Sequence, residues 1–247
     1  GGKQVKKTFI IIMAAAVMAF SGCSSQSKTD IKQEDTTEYA FSIGETDVSK
    51  EEFNIYLYET QKSFEQLGGT DIWETDFDGR TAESVAIDNT LNSIQLVKFA
   101  VEEAEKRGVT LDDSMKNQAE ERAEEMYDGL SDDIRSKIGA DISLYESVFE
   151  ENMLYNIMYE EITGDYSVNE KDFEAYYSEH KDEILSAYKT NVDSTEPVND
   201  DAVKDYGLEY YTDVMKQDYF NSEYNKWLSS NAVDKNDEVW NTIALIK

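Results

Sequence analysis

Tyr39-Ala40-Phe41-Ser42-Ile43-Gly44-Glu45-Thr46-Asp47-Val48-Ser49-Lys50-Glu51-Glu52-Phe53 is the stretch on which the fold turns. Residues 39–43 alternate as a half-buried strand does, and Gly44-Glu45-Thr46-Asp47 has the composition of a turn before Val48. Ser49 followed three residues on by Glu52 is a helix start: the hydroxyl accepts from a first-turn amide, and the acid sits at the positive end of the helix dipole. The same grammar recurs at Thr110 with Asp113, Ser143 with Glu146, and Asn169 with Asp172. Behind these starts the apolar residues recur with helical spacing. Phe53, Tyr56, Leu57 and Phe64 form one stripe; Ile87, Leu91, Ile94, Val97, Val101 and Ala104 a second; Leu144, Val148, Leu154, Met158 and Ile162 a third. Gly108 after Lys106-Arg107 is a C-terminal stop.

A further helix is expected over Val203 to Ser230, with Tyr211, Val214, Met215, Tyr224, Trp227 and Leu228 facing inward. Val239 to Ile246, bounded by Asn236-Asp237, reads as a closing strand. A strand without a partner leaves a row of unpaired backbone groups, so residues 39–48 and 239–246 are expected to pair. The predicted class is α+β, mostly helical, with a small β-sheet formed by the N- and C-terminal strands.

Lys3, Lys6 and Lys7, then the apolar run Thr8–Phe20, then Ser21-Gly22 before Cys23, have the organisation of a bacterial lipoprotein signal. The run falls short of the roughly 20 apolar residues that a spanning helix needs. Residues 1–22 are therefore expected to be removed as a signal peptide and Cys23 to carry the lipid, with Phe20 where such signals usually have Leu. Residues 23–38, polar and without apolar period, read as a flexible tether. This implies an extracytoplasmic protein, lipid-anchored to the bacterial cell membrane. The formal charge is −30, and removal of a segment with three lysines and no acid takes it to −33. Nucleic acid is excluded as a partner, since phosphate binding needs clustered Lys and Arg. Cys23 is the sole cysteine, so packing rather than a disulfide must hold the fold. A 40% hydrophobic, 12% aromatic composition suffices for a real core.

The stretch 41–53 resembles the opening of the SurA and PrsA extracytoplasmic chaperones, a strand ending in "NG", a turn, and "S-x-E-E-F" starting a helix, with Ile43 in place of the usual Asn. "LNSIQLVKFAVEEAEKRGV" over residues 91–109 is similar to that family's long second helix and its stop. "SVNEKDFEAYY" over 167–177 resembles the lead into the isomerase domain, and the segment from Tyr224 resembles the last helix and strand. The resemblance implies that residues 39–247 form a chaperone module, a SurA N-terminal-like domain. A parvulin isomerase domain takes roughly 90 to 100 residues, and only about 30 lie between Tyr177 and the final helix. The parvulin "HIL" strand and "GG-x-LG" loop are absent as well. Residues 191–201, which hold the single proline, Pro197, mark where that insert is missing. The implied function is chaperone-like binding of unfolded secreted polypeptides, without prolyl isomerase activity. A scaffold for one specific cell-envelope partner is the alternative.

No catalytic residues, metal or cofactor are expected. Glu74, Asp76, Asp78 and Gly79 follow the start of a calcium loop, but the closing position, where a bidentate Glu is required, is Val85. His180 lies in a polar helix without a partnering nucleophile, and no G-x-S-x-G elbow exists. The surplus of 16 tyrosines and 7 methionines says more. Clusters such as Met126-Tyr127, Met153 with Tyr155, Met158-Tyr159 and Tyr176-Tyr177 put adaptable side chains on more than one helix face. Met153, Tyr155, Met158, Tyr159, Tyr176 and Tyr177 are the candidate client-binding residues, in a cleft expected between the N-terminal helices and residues 153–177.

Overall fold

A computed structural model describes residues 39–164, 166–191 and 198–247. Cys23, the signal segment and the tether lie outside the described residues, as does the centre of the predicted junction, 192–197. The described chain is 74% helical with a small three-stranded antiparallel sheet. It divides into two compact units: one holds the residues up to Asn156 together with Ser230–Lys247, and the other holds Ile157–Ser229.

The first unit begins with the predicted strand, but the predicted turn is shorter: only Gly44-Glu45 turn, and Thr46-Asp47 already belong to the next strand. Strand β1 (Tyr39–Ile43) turns at Gly44 and pairs antiparallel with β2 (Thr46–Ser49), which runs into α1 (Lys50–Gly68). Gly44 has φ +59, a left-handed conformation that a side chain would strain. The Ser49 hydroxyl accepts from the Glu52 amide at 3.0 Å. A one-residue turn and a short 3-10 segment (Thr70–Glu74) follow α1. Asp78 and Gly79, both at positive φ, then close the hairpin of β3 (Asp76–Phe77) and β4 (Arg80–Thr81). Two consecutive left-handed residues give the tight turn that matches strand twist, and Asp76 Oδ1 accepts from the Gly79 amide at 2.7 Å. The acidic loop is thus a hairpin turn.

Helix α2 (Ala82–Arg107) ends at Gly108, whose φ of 68 and backbone bonds to Ala104 and Glu105 make it the expected stop. Helices α3 (Asp113–Asp128), α4 (Asp132–Ile138) and α5 (Ile142–Thr163) follow, the unit boundary falling within α5. Two caps differ from the sequence reading. Asp112 rather than Thr110 caps α3, accepting from Met115, and Asp141 rather than Ser143 accepts from Leu144 at the start of α5. A carboxylate at the cap position outcompetes a hydroxyl two residues away because it also meets the helix dipole.

The closing strand is not where the sequence put it. β5 is Val233–Lys235, paired with β1 in the register Phe41–Lys235, Ser42–Asp234 and Ile43–Val233, so the sheet order is β2-β1-β5. Residues 239–246 contain no strand: α8 (Asp237–Trp240) occupies the start and irregular chain the rest. Val239 and Ile246 are indeed core residues, which is what made the segment look like a strand. At the chain end, side chains take the amides of residues 245 and 246 instead. Gln61 Oε1 accepts from the Ile246 amide at 3.0 Å, and Glu83 Oε1 from the Leu245 amide at 3.2 Å. Trp240 packs edge-on against Phe41 and Phe53, with centroids 6.3 and 5.3 Å away, so the chain end is fixed by rings rather than by a ladder.

Charge is buried at the centre of this unit. Lys98 of α2 reaches Glu52 of α1 at 2.9 Å and Glu151 of α5 at 2.7 Å. Glu52 therefore does not turn back to cap its own helix. Burial pushes the Glu52 carboxyl above its ordinary range against the pull of Lys98, whereas the two glutamates together hold Lys98 above the usual lysine value. Asn152 donates to the Tyr56 hydroxyl at 2.8 Å beside them.

Candidate functional site

The second unit is built from the end of α5 together with α6 (Glu170–Asn191) and α7 (Asp200–Leu228). On α6 the residues Phe173, Tyr177 and Ile184 fall at four- and seven-residue steps and form a buried stripe with Val203 of α7. Close approach of the two helices depends on Gly207. A Cβ there would lie 3.1 Å from Ile184 Cγ2 and 3.3 Å from Tyr177 Cδ2. Helices α6 and α7 run antiparallel, since Phe173 meets Tyr211 at 5.8 Å and Tyr188 meets Tyr206 at 5.7 Å.

A half-covered aromatic face lies along this hairpin. The Tyr176 ring lies 4.5 Å from the His180 ring and 4.7 Å from that of Tyr211, tilted by 34° to each. Tyr166 and Tyr219 form a further pair at 5.6 Å. Around them α7 exposes Leu208 (39%), Tyr210 (52%), Val214 (39%) and Tyr219 (38%). Leu208, Tyr211, Met215 and Tyr219 recur at three- and four-residue spacing, and Tyr210 with Val214 makes a second row. Desolvation, with Tyr210 and Glu183 nearby, pushes the Tyr176 hydroxyl up, and desolvation with Asp172 does the same for Tyr211. Both phenols stay neutral donors at physiological pH. The helix is locally irregular here, with His180 at φ −110 and ψ 15 and its Nδ1 3.0 Å from Glu183. Such a surface can make broad apolar and ring contacts and offer hydroxyl hydrogen bonds without dictating one partner shape.

The six residues singled out from sequence divide. Tyr155, Met158 and Tyr177 are buried, whereas Met153, Tyr159 and Tyr176 are half-buried. Tyr177 belongs to the α6–α7 core, and Tyr159 packs on Phe220 at 5.2 Å. Met153 and Tyr155 fall in the first unit and the other four in the second. Val214, expected to face inward, is exposed instead. Leu208, Tyr210 and Tyr219 were missed, although a signal existed. Tyr210-Tyr211 is the same kind of adjacent pair as Tyr176-Tyr177, and neighbours on a helix point about 100° apart, so one of each pair must leave the core face.

Among the described residues no group of three or more His, Cys, Asp or Glu is placed to hold a metal ion, and no helix is long and apolar enough to cross a membrane. No protein-family model, curated protein or solved structure matches the chain, so the likeness to the SurA and PrsA chaperones rests on the residues quoted for it.

Proposed function

We propose that this chain is a membrane-anchored, extracytoplasmic chaperone-like lipoprotein of the SurA/PrsA type that lacks the parvulin domain, and that it binds unfolded secreted polypeptides without isomerising them. The observation that carries the reading is a pair of exposed apolar rows on α7, Leu208 with Tyr219 on one flank and Tyr210 with Val214 on the other, with the Tyr176 and Tyr211 rings 4.7 Å apart on the hairpin. A surface of this kind costs solubility unless it has work to do, and the formal charge of −30 offsets that cost by keeping loaded complexes apart. The same charge favours apolar or basic clients over acidic ones. The lipid on Cys23 holds the module at the membrane, with residues 24–38 as spacer.

Aggregation of a reduced secreted protein, followed by light scattering with and without this chain, tests the reading. Suppression at several-fold molar excess, across clients of unrelated sequence, is expected. No suppression, or binding confined to a single folded protein, contradicts it and favours a scaffold for one cell-envelope partner. Proline isomerisation in a short peptide is expected to proceed at its uncatalysed rate in the presence of the purified chain.

A further inference from the structure

The two exposed rows of α7 are separated by charge. Successive helix residues turn by about 100°, which puts Leu208 with Tyr219 on one flank, Tyr210 with Val214 on the other, and Asp205, Glu209 and Asp213 on the arc between them. The three acids follow one another at four-residue steps, and all are exposed. Among the described residues none of them forms an ion pair; Lys204, next to Asp205, reaches Glu174 of α6 instead. Like charges at this spacing repel one another, so the stripe weakens the helix that carries it. Unpaired acids are common in a chain with 53 acids and 23 bases, and what sets these apart is the exposed Leu, Tyr and Val on either side. Glu120, Glu121 and Glu124 of α3 are also exposed and unpaired among the described residues, but α3 carries no exposed large apolar side chain.

We infer that this face of α7 docks polypeptide segments in which Lys or Arg stand among apolar residues, with Asp205, Glu209 and Asp213 selecting for the bases. This rests on the client-binding reading and narrows it: the local stripe, rather than the net charge of −30, sets the preference. The apolar side chains of the segment cover a row of α7, and its bases give the acids the counter-charges they lack within the fold. The spacings agree, since acids four apart on a helix are separated by about 6 Å and alternate side chains of an extended chain by about 6.6 Å. Each exposed pair is weak by itself, so selection needs the three acids together and fades with salt.

A short dansyl-labelled peptide in which Lys alternates with Leu and Phe is the probe, titrated with the full chain and followed by fluorescence anisotropy. The expected result is saturable binding, weakened roughly tenfold when the Lys of the peptide are replaced by Gln and lost when its Leu and Phe are replaced by Ser. Raising the salt from about 0.05 to 0.5 M should weaken the Lys peptide and not the Gln peptide. A variant with Asp205→Asn, Glu209→Gln and Asp213→Asn should bind the Lys peptide about as weakly as the parent binds the Gln peptide, and should melt no earlier than the parent because repulsion along the helix is relieved. A variant with Glu120→Gln, Glu121→Gln and Glu124→Gln undergoes the same change in net charge and should keep the parental affinity to within about twofold. Equal weakening in the two variants would overturn the inference in favour of net charge. Equal affinity for the Lys and Gln peptides, undiminished binding of the Ser peptide, or no binding at millimolar chain would overturn it as well. Aggregation suppression by the parent keeps the two readings apart: suppression alongside any of those outcomes removes the stripe and leaves the chaperone reading, whereas peptide binding as expected without suppression removes the chaperone reading and leaves the docking face.

Discussion

Two carboxylates, Glu52 and Glu151, converge on Lys98 where water is largely excluded. Removing one partner of such a cluster leaves charge without compensation, and Lys98→Met is expected to destabilise the first unit by about 3–5 kcal/mol at pH 7. The sign of the pH dependence follows from Glu52. Its folded-state pKa is raised by burial, so the folded chain binds the proton more readily than the unfolded one, and stability attached to this group grows as pH falls from neutrality toward the ordinary carboxylate range. Without Lys98 the rise is larger still. Urea melts should therefore show the Lys98→Met deficit shrinking between pH 7 and pH 5, and a deficit independent of pH would contradict the assignment. Little of this was legible in the sequence. Glu52 was recognised, but as a capping-box acid, because its three-residue spacing from Ser49 is local, whereas its bond to Lys98 joins two helices.

At the scale of elements, local signals were read well and long-range ones poorly. The Ser49 cap, the Gly108 stop and the apolar stripe of α1 depend on neighbours within a turn or two, and the structure has them as expected. The closing strand depends on what lies opposite. Val233-Asp234-Lys235 has one apolar residue and no alternation, yet it pairs with β1 because the chain passes that edge. The richer segment 239–246 serves the core through Trp240 and Ile246 without becoming a strand. Trp240→Ala is accordingly expected to lower stability by roughly 2–4 kcal/mol through the lost contacts with Phe41 and Phe53. Deleting residues 240–247 should destabilise the whole first unit and not just fray its end. A truncated chain melting with the parent would contradict this. In the second unit the sensitive position is Gly207. Alanine there gains helix propensity of about 1 kcal/mol and needs a small shift of Ile184, but valine overpacks and is expected to cost on the order of 1–3 kcal/mol. Thermal melts of both variants check the order.

For the molecule as a whole, the sequence indicated that tyrosine and methionine exceed what one core face needs, and it could not say which of them would be left over. That is settled by packing: Met158 and Tyr177 are enclosed, while Tyr210 and Tyr219 on α7 are not. Membrane attachment is tested separately, by metabolic labelling with a fatty acid; label is expected on the parent and lost in Cys23→Ala, and undiminished labelling of the variant would rule out that anchor. The central claim is that clients are held by the two exposed apolar rows of α7, Leu208 with Tyr219 and Tyr210 with Val214. It is tested most directly by comparing aggregation suppression and melting temperature for the parent and for a variant carrying Leu208→Ser, Tyr210→Ser and Tyr219→Ser. The account predicts that this variant melts close to the parent and loses most of its suppression, whereas Met158→Ser with Tyr177→Ser mainly lowers the melting temperature. Full suppression by the Leu208, Tyr210 and Tyr219 variant at an unchanged melting temperature would contradict it.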